Sequence, residues 1–272
     1  MKATGAFSRR TWAVLVLGIV AAVIVQLLVT TGIGGETASV AISDIGGVLV
    51  IGMAALVTIR TALAFGAGES LRSQWLAIGA GIVLYVLGDL MWTYIEVVQG
   101  LDPPYPGLPD VFYVAMYVFL GYGIISAALA YRGLVKMRAP LIGSAVIGVA
   151  SAAAIYIVLV KDIIADPGVA LLEKALTAFY PVADTLLLLA PAVFIVLVVS
   201  QLGRGALGTP WRFVVAGVAV LAVADALYQW LEWQGLYSTG HLVDLGWMIG
   251  YVLLATGASV MRDLILPAAR RV

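Results

Sequence analysis

Apolar runs dominate the chain, and they start and stop on Gly, Pro and charged residues. Eight can be placed, at about 12–33, 40–63, 73–99, 107–131, 139–164, 174–201, 210–235 and 241–263. Each supplies the roughly 20 residues a helix needs to cross a bilayer core. Lipid offers no hydrogen bonds to the backbone, so these runs are predicted as α-helices, which satisfy their own N–H and C=O groups. Asp102-Pro103-Pro104-Tyr105-Pro106-Gly107, Asp166-Pro167-Gly168 and Gly208-Thr209-Pro210 punctuate them as turns. The first run follows Met1-Lys2 and Arg9-Arg10. It is long and lacks a small-residue cleavage site, so it reads as a first span rather than a signal peptide.

The polar residues between the runs alternate in sign. Every second connection carries bases: Lys2, Arg9 and Arg10; Arg60 and Arg72; Arg132, Lys136 and Arg138; Arg204 and Arg212; Arg262, Arg270 and Arg271. That is 13 of the 15 basic residues, and the other side has only Lys161 and Lys174. By the positive-inside rule both termini are expected in the cytoplasm and the number of spans is even. Trp12, Trp75 and Trp211 begin spans 1, 3 and 7, where a cytoplasmic aromatic belt would sit. The acids show the opposite bias: only Glu69 and Asp263 fall on the cytoplasmic side. The expected location is a cell membrane, crossed several times.

The polar positions inside the runs repeat. Asp89-Leu-Met-Trp92-Thr-Tyr94-Ile-Glu96 is matched by Asp225-Ala-Leu-Tyr228-Gln-Trp230-Leu-Glu232, 136 positions later. Asp110-x-x-Tyr113-x-x-x-Tyr117 is matched by Asp244-x-x-Trp247-x-x-x-Tyr251, 134 positions later. Gln99-Gly100-Leu101 recurs as Gln234-Gly235-Leu236, and Asp44 on span 2 has a weaker echo in Asp184 on span 6. The expectation is an all-α polytopic protein of two four-helix repeats, 1–136 and 137–272, within one integral membrane domain. An even number of spans per repeat makes the copies parallel, related by a pseudo-two-fold axis along the membrane normal.

Helical spacing decides which of these residues converge. Positions i, i+3 and i+7 share a face. Asp89, Trp92 and Glu96 therefore line one face of span 3, and Asp225, Tyr228 and Glu232 one face of span 7. Asp110, Tyr113 and Tyr117 share a face of span 4; Asp244, Trp247 and Tyr251 share a face of span 8. Asp110, Asp244 and Asp44 each open a span, so helix capping accounts for them. Tyr113, Tyr117, Trp247 and Tyr251 fit an interfacial belt or helix packing as readily as a ligand. Glu96 and Glu232 are within reach of interfacial water. Asp89, Asp225 and Asp184 lie too far from helix ends for capping. A charge near mid-bilayer costs about 2.5–3.5 kcal/mol on insertion scales, so such acids need protons, water, a cation or a ligand. Asp184 also follows Pro181, whose ring is expected to kink span 6.

Composition then removes function classes. Of the 272 residues 63% are hydrophobic and 11% charged, against roughly 25% charged in soluble domains. The 15 bases and 15 acids cancel, and nothing points to nucleic acid. There is no Cys, which excludes disulfides, thiolate metal sites and Cys nucleophiles. The single His, His241, is too few for a His-built zinc centre, so no metal site and no cofactor are expected. No Asp motif of a membrane aspartyl protease, no Schiff-base Lys on the last span and no Ser motif near His241 marks an enzyme. Acids interleaved with Trp and Tyr are instead what a desolvated organic cation needs, through charge pairing and cation–π attraction.

Leu108-Pro109-Asp110-Val-Phe-Tyr113 with Tyr117 and Gly121, and Gly235-Leu-Tyr237-x-x-Gly240-x-x-x-Asp244-x-x-Trp247-x-x-Gly250-Tyr251, resemble a multi-span membrane module. That module stands at the N-terminus of many bacterial diguanylate cyclases and phosphodiesterases of the GGDEF/EAL type, and of some histidine kinases. The resemblance covers nearly the whole chain and implies a sensor whose output lies on the cytoplasmic side. No GGDEF, EAL or kinase sequence follows Arg270-Arg271-Val272, so the expectation is an isolated sensor module or a stand-alone relative that signals through a cytoplasmic partner. Three functions are thus carried forward. The first is a sensory module binding a small cationic or amphiphilic ligand. In it Asp89, Trp92, Glu96, Asp225, Tyr228 and Glu232 line an extracytoplasmic pocket, with Asp110, Tyr113, Asp244 and Trp247 at its mouth. The second is a proton- or cation-coupled transporter using Asp89, Asp184 and Asp225. The third is an intramembrane enzyme on a lipid.

Overall fold

The computed structural model describes residues 7–131, 136–202 and 206–269, with the side chains of 266–269 excepted. Lys2, Arg132, Arg204, Arg270 and Arg271, which help to set the expected orientation, lie outside the described residues. Among the described residues there is no strand. Eight helical segments are long and apolar enough to cross a membrane: span 1 (Arg9–Thr30), span 2 (Glu36–Ala62), span 3 (Ser70–Val98), span 4 (Leu108–Ala130), span 5 (Arg138–Ala165), span 6 (Leu171–Gln201), span 7 (Ala206–Trp233) and span 8 (Asp244–Ile265). A multi-pass membrane protein is the class this architecture defines.

The helix boundaries follow local chemistry. Span 1 stops where Gly32, Gly34 and Gly35 adopt positive φ, a region L-residues avoid. Span 2 then starts at Glu36 rather than near 40, which places Asp44 more than two turns inside the helix and not at its cap. Pro109 sits in the first turn of span 4, where its missing N–H is no loss. Span 6 contains Pro181, and just after it the helix widens into a π-helical stretch over Ala183–Leu189. Within that stretch the Thr185 hydroxyl donates to the Pro181 carbonyl at 2.5 Å. The proline disturbance thus falls on the turn that carries Asp184. Shorter π-helical turns end span 3, at Tyr94–Val98, and interrupt span 5, at Tyr156–Val160.

Spans 3 and 4 pack together, as do spans 7 and 8; span 2 packs on both 3 and 8, and span 4 on span 6. Spans 1 and 5 are the least buried and expose apolar side chains such as Leu17, Leu27, Ile142 and Val146. Such faces suit lipid, where no hydrophobic effect drives helices together and small residues permit close packing instead. A Cβ on Gly123 would stand 2.8 Å from the Gln74 carbonyl, and one on Gly217 would stand 2.7 Å from the Gly250 carbonyl. Backbones therefore touch between spans 3 and 4 and between spans 7 and 8. Trp75 and Trp211, both fully buried, stack with ring centroids 5.5 Å apart between spans 3 and 7. Nearer the other end of the same two helices, Trp92 meets Tyr228 edge-on at 6.5 Å.

Candidate functional site: an acidic and aromatic cavity

The connections 31–35, 99–107, 166–170 and 234–243 join successive spans at one end of the bundle, and a cavity opens there. Its volume is about 130 Å³. Five carboxylates stand on its wall: Asp44 from span 2, Asp89 from span 3, Asp110 from span 4, Asp225 from span 7 and Asp244 from span 8. Aromatic rings fill the space between them, and no Lys or Arg belongs to the lining.

Four of the five acids, Asp89, Asp110, Asp225 and Asp244, accept hydrogen bonds from named donors. Tyr113 donates its hydroxyl to Asp89 at 2.8 Å, and Trp247 donates its indole N–H to Asp225 at 2.6 Å. These two bonds occupy corresponding places in the two acidic-aromatic strings. Tyr113 reaches Asp89 because Gly88 lacks a side chain; a Cβ there would come within 2.4 Å of the Tyr113 ring. Asp110 accepts the Gly107 N–H at 2.7 Å and the Tyr180 hydroxyl at 2.6 Å. Asp244 accepts the Gly240 N–H at 2.7 Å, the Tyr237 hydroxyl at 3.1 Å and the Ser43 hydroxyl at 3.2 Å. Both therefore cap their helices, as the sequence implies, yet both also face the cavity. One oxygen of each anchors the turn and the other takes a tyrosine from elsewhere.

Below this ring lies a second layer. The Tyr117 hydroxyl donates to Asp184 at 2.8 Å and lies 3.3 Å from Asp225, so one phenol links carboxyl groups on spans 6 and 7. Asp184 is almost wholly buried and does not line the cavity itself. Tyr251 is equally buried; its hydroxyl donates to Met116 Sδ at 2.9 Å and its ring packs on Tyr85 at 4.5 Å. Glu96 takes the Trp92 indole N–H at 2.6 Å and the Thr239 hydroxyl at 2.8 Å, tying span 3 to the 234–243 connection. Glu232 is exposed at the end of span 7, away from the lining.

Of the residues singled out by sequence, Asp89, Trp92, Asp110, Tyr113, Tyr117, Asp225, Tyr228, Asp244 and Trp247 come together on the wall. Glu96, Asp184, Glu232 and Tyr251 do not. The wall also holds Asp44, which the repeat marks only as a weak echo of Asp184 and whose sequence position suggests a cap, and residues the repeat does not mark, chiefly Tyr85, Tyr105, Tyr180, Gln229 and Tyr237. For Asp44 the capping explanation fails, because span 2 begins earlier than the apolar run suggests. Its place on a polar face with Ser43 and Gly47 was the available signal. Tyr105 and Tyr237 come from connections, and their packing depends on tertiary closure. Burial, with the Asp244 charge adding to it, holds the Tyr237 phenol well above its ordinary range. Burial also pushes the Tyr105 phenol up. Both keep their protons at neutral pH and remain donors.

The arrangement sets five acidic side chains among aromatic rings, with no Lys or Arg in the lining. Among the described residues no cluster of three or more His, Asp or Glu has metal-ligating geometry. The chain matches no protein-family model, no curated protein and no solved structure.

Proposed function

We propose that this protein is a sensory or ligand-binding membrane module whose acidic-aromatic cavity takes a small cationic or amphiphilic ligand from the extracytoplasmic side. The observation that carries this reading is the cavity wall: five carboxylates interleaved with Trp and Tyr and no Lys or Arg. Carboxylates supply charge pairing to a ligand cation, and each aromatic face adds roughly 0.5–2 kcal/mol of cation–π attraction. Size supports it as well. An apolar cavity of roughly 150 Å³ accommodates benzene, so about 130 Å³ suits a ligand on the scale of a single ring.

Orientation and symmetry belong to the same proposal. Among the described residues the bases Arg9, Arg10, Arg60, Arg72, Lys136, Arg138, Arg212 and Arg262 fall at the span ends opposite the cavity, which under the positive-inside rule supports cytoplasmic termini and a cavity on the outer side. Two parallel four-helix repeats, 1–136 and 137–272, account for the paired bonds Tyr113–Asp89 and Trp247–Asp225. They also account for the meetings of Trp75 with Trp211 and of Trp92 with Tyr228, each pair 136 positions apart. If the sequence likeness to the sensor module of GGDEF/EAL proteins and histidine kinases holds, the output is carried by a cytoplasmic partner.

Binding of organic cations to the purified protein in lipid nanodiscs tests the reading. Isothermal titration calorimetry is the readout. Asp89→Asn with Asp225→Asn should weaken binding at least tenfold while thermal melting shows a folded protein. A double variant that binds normally would remove these acids from the site.

A second reading, a proton- or cation-coupled carrier, draws on one observation: Tyr117 joins the buried Asp184 to Asp225, which does line the cavity. A carrier needs a path to the other side. Toward that side, buried Ile82, Leu120, Ile124 and Leu254 follow, and then the Trp75–Trp211 stack, ~21 Å along span 3 from Asp89. That apolar closure favours a one-sided pocket. Uptake of a cation into proteoliposomes would establish the carrier instead.

A further inference from the structure

Gln229 is 94% buried on the cavity wall, and its side-chain carbonyl Oε1 meets no donor among the described residues. On another wall, from span 2, Asp44 Oδ2 is also buried without a donor. Every other cavity acid is answered. Asp89, Asp110, Asp225 and Asp244 each accept a hydroxyl, an indole or a backbone N–H. A buried acceptor left unpaired is costly, and in native proteins such groups mark a place where something else donates.

The two unanswered atoms are of one kind: a side-chain carbonyl oxygen of Gln229 and a carboxyl oxygen of Asp44, both able to accept a hydrogen bond. A ligand that satisfies them must carry hydrogen-bond donors. This separates two kinds of organic cation. A quaternary ammonium presents only methyl groups; it gains from charge and from aromatic faces but leaves Gln229 and Asp44 unpaired. A protonated primary or secondary amine gains the same attractions and also has N–H groups to donate. The aromatic residues around the site, Trp92, Tyr113, Tyr228 and Trp247 among them, leave room for an apolar body beside the charged head.

We infer that the ligand of this cavity is a small protonated amine with free N–H donors, of single-ring size, recognised at its head by Gln229 Oε1 or Asp44 Oδ2. The inference rests on the cation-binding reading above and narrows it to one chemical class. Specificity would come from the polar acceptors, since a site built to hydrogen-bond a donor rejects an analogue lacking it far more strongly than an apolar wall rejects an extra methyl group.

The experiment uses the full chain in nanodiscs with four probes of similar size: benzylammonium, benzyltrimethylammonium, benzyl alcohol and benzoate. Benzylammonium is expected to bind at least tenfold more tightly than benzyltrimethylammonium, with benzyl alcohol weaker and benzoate not bound. Gln229→Leu and Asp44→Leu, each of which removes the acceptor outright, are then measured with both cations. In at least one of them benzylammonium should lose most of its advantage over benzyltrimethylammonium, whose remaining binding shows that the variant is folded. If the quaternary cation binds as well as the amine, the inference fails and the cation pocket stands. If discrimination survives in both variants, these acceptors are not the head-group site and the inference fails on that ground. If neither cation binds, or benzoate does, the proposed function falls with it.

Discussion

Asp89, Asp184 and Asp225 are each stabilised by a named aromatic donor, and those donors are where single substitutions should act most clearly. Tyr113→Phe removes the side-chain donor that Asp89 has among the described residues, and Trp247→Phe does the same to the Oδ1 of Asp225. Tyr117→Phe removes a bond from both Asp184 and Asp225. Losing the donor to a buried carboxyl costs about 1–3 kcal/mol. Thermal melting in nanodiscs should therefore rank Tyr117→Phe as the most damaging of the three. A double-mutant cycle is the control: Tyr113→Phe should cost much less in an Asp89→Asn background, because the bond it breaks is already altered. Additive losses would mean that Tyr113 stabilises the fold by packing alone. Sequence spacing puts Asp89 and Asp225 on helix faces, but it cannot say who donates to them. The partners come from other spans, 24 and 22 residues away, across a turn.

The close pairs of spans, 3 with 4 and 7 with 8, depend on glycine. Gly217 lies against the Gly250 carbonyl, so a methyl at this position has to push one backbone from the other. Overpacking of this kind typically costs 1–3 kcal/mol, and Gly217→Ala should lower the melting temperature visibly. Gly88→Ala is different. Its Cβ would strike the Tyr113 ring, a side chain that can turn away, so the fold should survive while the Tyr113–Asp89 bond is lost. The expected signature is weakened ligand binding with a melting loss no larger than that of Tyr113→Phe, because the same bond is removed without forcing backbones apart. Helix limits were legible in the apolar runs to within a few residues, and that margin mattered once. The start of span 2 at Glu36 turns Asp44 from a cap into a cavity residue, because a shift of one turn changes what a side chain can reach. The π-helical widening of span 6 was foreshadowed by Pro181, though its extent to Leu189 depends on packing.

For the molecule as a whole, orientation is the feature most open to direct measurement, because the chain has no Cys. Single cysteines can be placed at exposed positions without a background. Leu101→Cys and Leu236→Cys lie at the cavity end, and Leu63→Cys and Leu202→Cys at the other. In intact cells a membrane-impermeant maleimide should label the first pair, and the second pair only after permeabilisation. The opposite pattern would put the cavity on the cytoplasmic side and overturn uptake of an external ligand. Labelling at Leu101 or Leu236 that slows in the presence of an amine would further tie the 99–107 and 234–243 connections to the binding event.

The sequence alone determined that the chain is a bundle of eight apolar helices, because the bilayer leaves the backbone one way to satisfy itself and the length of each run reports it. It also determined which helix faces carry acids and aromatics, since that follows from a period of 3.6 residues alone. Only the tertiary structure decided that Asp44, Tyr180, Gln229 and Tyr237 join those faces, that Glu96, Glu232 and Tyr251 stand off the wall, and that Asp184 lies beneath it. Those outcomes depend on how spans rotate and approach one another. That is set by close contacts between small residues and by hydrogen bonds between helices distant in sequence, which no local pattern records.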